Sequence, residues 1–484
     1  MKRRAFCVLA LLLGLSACGS GSAQSTASAP ASEKPEVKET EPAPSAAPSE
    51  EPAPEPEEAK TFEGKGTIEE NTVLVDEKDL RITAVKLAYS GSGAELEILM
   101  ENNSAQKLTV KSGTDTDNPT SVNGYCLVSD YSTFLMESLD AGASKTTRLS
   151  LRDDTFNTYG ITDIAEMEFI FTVQDENNEN YLTTGPIKLK TSSAGSYDLS
   201  EDTFRLAVED GRFAEAEGSG VKTFVTGDYF SQDGVEVGAA VFTEEGIIYM
   251  EAENTTDQTV IFHYDEPAVN NIVFNDNGGM VVKHYDVKLA PHARTLVPIR
   301  LNHLVSADSF DMYGIQDVAG ISFMGRVADA EDNSEHEAVL FEIPFSGDIP
   351  EADLSGEEVY SGNGIRLLLK GTKDTEDSYY LVFLAVNESD VSKTVFVKGY
   401  YDTDLAPMVN GMRTTFNNFE VTFSPGKAAA VEFGIDKNNS SISLEGNGIA
   451  PEDIQTVIMK MAVAEGDKEN VVDIPEITID LSGN

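Results

Sequence analysis

Three cysteines, Cys7, Cys18 and Cys126, and five histidines, His263, His284, His292, His303 and His336, are the obvious nucleophiles and metal ligands of this 484-residue sequence. Cys7 and Cys18 belong to an apolar N-terminal segment, so only Cys126 remains in the folded part and no internal disulfide is possible there. Cys126 sits in the apolar run Tyr125-Cys126-Leu127-Val128 and reads as a buried, inert thiol, because an apolar surround opposes the reactive thiolate. The histidines cluster between positions 263 and 336, which raises zinc, yet no spacing puts two on one strand face or one helical turn. Scattered surface positions are expected. Two acidic turns, Asp115-Thr116-Asp117 and Asp402-Thr403-Asp404, offer oxygens for Ca²⁺ but lack the spacing of a complete binding loop, and solvated turns are expected instead. Tyr379-Tyr380 and Tyr400-Tyr401 invite a groove, but adjacent tyrosines in a strand point to opposite faces. No Gly-x-Ser-x-Gly, His-Glu-x-x-His, Cys-x-x-Cys or phosphate-loop pattern occurs. The expectation is a protein with no catalytic residue, no metal and no cofactor.

Cys18 is different in kind, because of what precedes it. Lys2, Arg3 and Arg4 make a positive start, Ala5 to Leu15 an apolar stretch too short to span a bilayer, and Leu15-Ser16-Ala17-Cys18 a small-residue stop. This resembles the lipobox of bacterial lipoproteins. The resemblance implies removal of residues 1–17 and transfer of a diacylglyceryl group to the Cys18 thiol, with palmitate-type acyl chains. Each buried methylene contributes about 0.8 kcal/mol, so two or more chains hold where one would exchange. The expected location is the extracytoplasmic face of the cell membrane, anchored through lipid on Cys18.

From Cys18 to residue 66 the chain is rich in Ser, Ala, Pro and Glu, including Glu50-Glu51-Pro52-Ala53-Pro54-Glu55-Pro56-Glu57-Glu58. Such a composition buries too little apolar surface to fold, so a disordered tether is expected over residues 18–66. At roughly 3 Å per residue in its stiffest form it reaches on the order of 100 Å. The whole chain carries 83 acidic against 35 basic side chains, a net charge of −48. That charge repels nucleic acid and anionic lipid at close range and excludes nucleic-acid binding. Tryptophan, the commonest platform for stacking sugars, is absent.

The elements that must carry any site recur three times. An alternating run ends in Asn-x-Ser/Thr at Asn102, Asn254 and Asn387. Two, four and six residues before each asparagine stand Met100, Ile98 and Leu96; Ala252, Met250 and Ile248; Ala385, Phe383 and Leu381. A period of two with one apolar face is a half-buried strand. Next come Val122-Asn123-Gly124, Val269-Asn270-Asn271 and Val409-Asn410-Gly411, whose asparagines and glycines tolerate positive φ in tight turns. Then follow the loops Leu139-Asp140-Ala141-Gly142, Leu289-Ala290-Pro291-His292 and Phe423-Ser424-Pro425-Gly426. A fourth marker, Gly160-Ile161-Thr162-Asp163-Ile164, Gly314-Ile315-Gln316-Asp317-Val318 and Gly448-Ile449-Ala450-Pro451-Glu452-Asp453-Ile454, leads into strands beginning near Met167, Ile321 and Val457. Closing strands are expected near Ile187, Ile343 and Ile477, and Asp-Leu-Ser at 198–200, 353–355 and 480–482 marks the boundaries.

Many short strands between turn residues read as sandwiches of antiparallel sheets. The markers resemble a family of Ig-like domains in lipoproteins and membrane proteins of Gram-positive Firmicutes. That resemblance spans about residues 67 to 484 and implies a fold without implying a reaction. The expected class is all-β, with tandem immunoglobulin-like antiparallel β-sandwiches at 67–197, 198–350 and 351–484, each burying a core of its own. About 25 extra residues, Asp202 to Gly227, precede the second copy as a hairpin or a short helix. The functional expectation is a non-catalytic surface lipoprotein presenting these domains to a protein or cell-envelope partner. The alternative is a small-ligand or ion receptor serving a transporter or sensor.

Overall fold

The computed structural model describes residues 62–91, 93–113, 120–127, 134–274, 286–301, 307–330, 336–397, 406–417, 419–466 and 469–482. Cys18, both acidic turns, Tyr400, Tyr401, His284 and His303 lie outside the described residues. The protein is all-β, built from antiparallel sandwiches in tandem. No helix among the described residues is long and apolar enough to cross a membrane.

Each copy opens with a meander. In the first, strands Thr72–Glu77, Leu80–Ser90 and Gly93–Asn102 pair in sequence and Ser144–Arg152 joins the third. The second repeats this with Val221–Gln232, Val235–Thr243, Ile247–Asn254 and Arg294–Arg300, and the third with Glu357–Gly362, Ile365–Asp374, Ser378–Asn387 and Ala428–Asp436. The alternating apolar residues are the inward row: Leu96, Ile98, Met100, Ile248, Met250, Ala252, Leu381, Phe383 and Ala385 have no exposed surface. The opposite layer is laid down by the strands that follow the fourth marker. In the first copy Glu166–Phe169 pairs with Ile187–Lys190, then Thr172–Gln174 leaves that sheet to pair with Leu108–Ser112. The third copy makes the same switch between Thr456–Met459 and Met461–Glu465, whereas Gly320–Asp329 of the second runs unbroken. The closing strands are Ile187–Lys190, Val339–Pro344 and Ile477–Asp480.

The repeated asparagines are clamps. The Asn102 amide donates to the carbonyls of Gln106, Leu139 and Asp140, at 2.8, 3.1 and 3.1 Å, while its oxygen accepts from Ser104. Asn254 does the same with Gln258, Leu289, Ala290 and Thr256, and Asn387 with Val391, Phe423 and Ser389. Each therefore ties the end of its strand to the third marker's loop, which is why buried amide chemistry recurs there. The second set ties turn to fourth marker: Asn123 donates to Asp163, Asn270 to Asp317 and Asn410 to Asp453, at 2.7, 2.7 and 2.8 Å. These asparagines stand at φ 51°, 48° and 50°, the left-handed region that asparagine tolerates. The three Asp-Leu-Ser boundaries close as identical turns in which Ser200, Ser355 and Ser482 donate backbone N–H to Asp198, Asp353 and Asp480.

The copies are not separate bodies. Tyr125 of the first pairs in parallel with Arg294 of the second, and Ile272 and Val273 of the second pair in parallel with Ala428 and Ala429 of the third. One eight-stranded and one nine-stranded sheet thereby cross the boundaries, and the described residues form a single compact unit. The cores follow the sheets: Ala239, Val241, Ile247, Tyr249 and Leu296 of the second copy pack into the core of the first. Leu368, Val382, Leu384 and Val386 of the third pack into that of the second. A core for each copy alone is thus corrected to cores completed by the next copy.

Two further expectations are corrected. The boundary drawn at residue 66 falls inside packed structure: the Phe62 ring packs tilted against Phe156 with centroids 4.4 Å apart, its N–H donates to Asn157, and the amides of Lys65 and Gly66 donate to Asp163. One aromatic ring outweighs a tether-like composition around it. The insertion is neither hairpin nor single helix but a helical pair, α2 (Thr203–Glu209) and α3 (Arg212–Glu217), running into the strand from Val221. Asp202 caps α2 by accepting from Arg205 N–H, and left-handed Gly211 and Gly218 bracket α3. The pair packs on α1 (Asp153–Thr158), the short helix ahead of the first Gly-Ile marker.

Candidate functional site

The outer face of each meander can be read from its clamp asparagine, at one, three, five and seven residues before it. In the first copy these are Glu101, Leu99, Glu97 and Glu95, a water-facing row. In the third they are Val386, Leu384, Val382 and Tyr380, all facing the joint with the second copy. The second copy is mixed: Glu253, Glu251, Tyr249 and Ile247, and here a carboxylate is sealed inside a joint.

Glu251 is 2% exposed and faces α2. Arg205 donates to one oxygen, Oε2, twice, from Nε at 3.0 Å and Nη2 at 2.9 Å. Oε1 has no hydrogen-bond partner among the described residues. Arg205 also pairs with Asp202 at 2.8 Å, and Arg294 pairs with Glu253 at 3.1 Å. From the first copy, the Tyr125 hydroxyl donates to Asp202 Oδ1 at 3.3 Å and accepts from Phe204 N–H. Burial pushes the Glu251 carboxyl up to about 7, with Asp202 repelling its charge and Arg205 only partly offsetting both. Around this polar centre the joint is apolar and hydrogen-bonded: Arg294 N–H donates to Gly124 O, and the Thr295 hydroxyl to Cys126 O, both at 2.8 Å. Phe213 sits edge-on to Phe204 and to Tyr249.

The second joint carries a buried carboxylate as well, Glu432, opposite Val382 on the strand Ala428–Asp436. Glu266 stays at its rim, held by the N–H and hydroxyl of Ser424 at 2.9 and 3.0 Å, with burial raising its carboxyl's pKa. Lys427 donates to Asn271 at 3.3 Å. A cleft of about 260 Å³ lined by Leu354, Val386, Pro425 and Lys427 opens beside it, and one of about 240 Å³ lies between α1 and α3.

The candidates named from the sequence are dispersed. Cys126 is fully buried, and burial pushes its thiol up to about 12, so it is inert. His263, His292 and His336 each face a different aspartate, Asp286, Asp257 and Asp233, and no metal-binding group occurs among the described residues. Tyr379 packs on the core of the third copy and Tyr380 on that of the second, so the pair splits across the sheet. Glu251 and Arg205 were missed. Their signal was the loss of alternation in Ile247-Ile248-Tyr249-Met250 and Leu381-Val382-Phe383-Leu384, which marks sheets covered on both faces. No protein-family model matches the chain, and no curated protein matches it.

Proposed function

We propose that this chain is a non-catalytic cell-surface lipoprotein, anchored through acyl chains on Cys18, that presents tandem immunoglobulin-like domains to a protein or cell-envelope partner. One observation carries the reading. The residues that recur three times, the clamp asparagines, the turn asparagines and the boundary aspartates, are engaged in hydrogen bonds that hold strands and loops together. What the repetition maintains is a framework, and the two parallel joints fix how its copies are spaced. Crosslinking on intact cells followed by identification of the captured species tests the proposal. A specific envelope or protein partner is expected. Capture of nothing, together with thermal stabilisation by a sugar, peptide or Ca²⁺, would favour the receptor reading.

A further inference from the structure

We infer that the joint between the first and second copies is a pH-responsive contact, closing more tightly on acidification, with Glu251 as its titrating group. Three residues before the clamp asparagine stands Leu99 in the first copy and Leu384 in the third, but Glu251 in the second. Leu384 and Glu251 both lie buried in joints of the same construction, so the position takes a hydrophobe without difficulty. Replacing a buried ionic group by a well-packed hydrophobe is often neutral or stabilising, so a carboxylate at this position does not serve stability.

The charges facing Glu251 from each packed element do not balance. From α2 and its cap come Arg205 and Asp202; from the adjacent strand, Arg294; from its own strand, Glu253; from the first copy, the Tyr125 hydroxyl. With Glu251 ionised, three carboxylates share two guanidinium groups, and Oε1 is buried without a hydrogen-bond partner among the described residues. Protonation of Glu251 removes the excess charge while Arg205 keeps Asp202. Opening the joint returns Glu251 to water, where its carboxyl titrates near the ordinary 4.5, against about 7 in the closed joint. The closed form therefore holds the proton more tightly than the open one. Between these two values closure strengthens as pH falls, by up to about tenfold per pH unit, and above about pH 7 the dependence levels off.

Hydrogen exchange of the full chain from pH 5 to pH 8, with the intrinsic rates divided out, tests this. The reporters are the amides of Phe204, Arg294 and Leu296, which bond to Tyr125, Gly124 and Tyr159 of the first copy. Their opening constant is expected to fall by about tenfold per unit as pH drops from 6.5 to 5.5. At Ala428 and Ala429, paired across the second joint, any slope should be unchanged by substitution of Glu251. Glu251→Gln should abolish the slope at the first joint, and so should Glu251→Leu, which copies Leu384. A flat wild-type profile, or a slope that survives in whichever variant folds, overturns the inference.

Discussion

Tyr159 and Asn447 hold the same station in the first and third copies, each directly before the Gly-Ile marker, and each donates to the matching backbone carbonyl. The Tyr159 hydroxyl reaches Cys126 O at 3.3 Å and accepts from Leu296 N–H of the second copy, whereas the Asn447 amide reaches Arg413 O at 2.8 Å. Tyr313, its counterpart in the second copy, reaches across to Phe383 O of the third at 3.3 Å. A tyrosine therefore stands in the two copies that are joined to the next one, and an asparagine in the third. The outer face of the first copy is treated alike: Glu95 and Glu97 occupy rows that the later copies fill with the joint residues Ile247, Tyr249, Tyr380 and Val382. Terminal repeats with polar outer faces are the usual requirement of stacked arrays, which expose two ends however many units they hold.

Tyr159→Phe keeps the buried ring and deletes only the bridging hydroxyl, leaving an interior carbonyl and amide without that partner. The expected loss is about 1–3 kcal/mol in urea unfolding. Asn447→Ala acts on an exposed carbonyl that water can satisfy, and the expected loss is under about 1 kcal/mol. Equal losses would mean that the tyrosine contributes through its ring alone.

Asn254→Ala should be costlier than either. It removes one amide that serves three carbonyls, two of them on the buried residues Leu289 and Ala290, and one oxygen that holds Thr256. A loss of about 3 kcal/mol or more is expected in urea unfolding. A loss below about 1 kcal/mol would show that the loop at 289–293 is held by its backbone pairing instead.

The two departures of the second copy from glycine should respond oppositely to its restoration. His292 stands at φ 54°, where Gly142 and Gly426 stand at 69° and 74°. It offers only a pair with Asp257 between two largely exposed side chains. His292→Gly is expected to stabilise by up to about 1 kcal/mol, because the left-handed backbone is relieved and the surface pair contributes little. Asn271, at φ 63°, donates to Pro350 O and accepts from Lys427 at the second joint. Asn271→Gly is therefore expected to lower the melting temperature despite the easier backbone. The same sign for both changes would contradict the role given to Asn271.

The repeat was legible because its markers combine period-two burial with residues that need special backbone or amide chemistry, and both leave a trace in a linear chain. The inward rows, the turns at Asn123, Asn270 and Asn410, and the buried thiol of Cys126 were all readable on that basis. The parallel joints were not. The first rests on a single residue pair, Tyr125 with Arg294, and no local pattern announces which edge a short strand will meet. The helices α2 and α3 are six to seven residues long, too short for a periodicity to emerge, and are held by Phe204 and Phe213 in the joint. The Glu251 centre was hidden for another reason. Its partners come from an insertion and from the first copy, so the glutamate looked like one more charge in an acidic chain.

Cys126 offers an independent readout of that joint. Its residue belongs to the first copy by sequence, yet it packs in the core of the second, beside the loop at Ala290. Two barriers oppose its modification: it has no exposed surface, and burial raises its thiol to about 12, so almost no thiolate exists at pH 8 while the joint is closed. A thiol reagent should therefore leave Cys126 unmodified in the folded chain over minutes and modify it quantitatively in urea, with the site resolved by mass spectrometry. In Tyr159→Phe, which weakens the contact covering Cys126 O, labelling at pH 8 should accelerate by about 5- to 150-fold, the ratio corresponding to 1–3 kcal/mol of lost closure. Glu251→Leu should slow it, since an apolar side chain replaces an uncompensated carboxylate at that pH. Rapid labelling of the folded wild type would show that the thiol reaches solvent by a route other than opening between the copies.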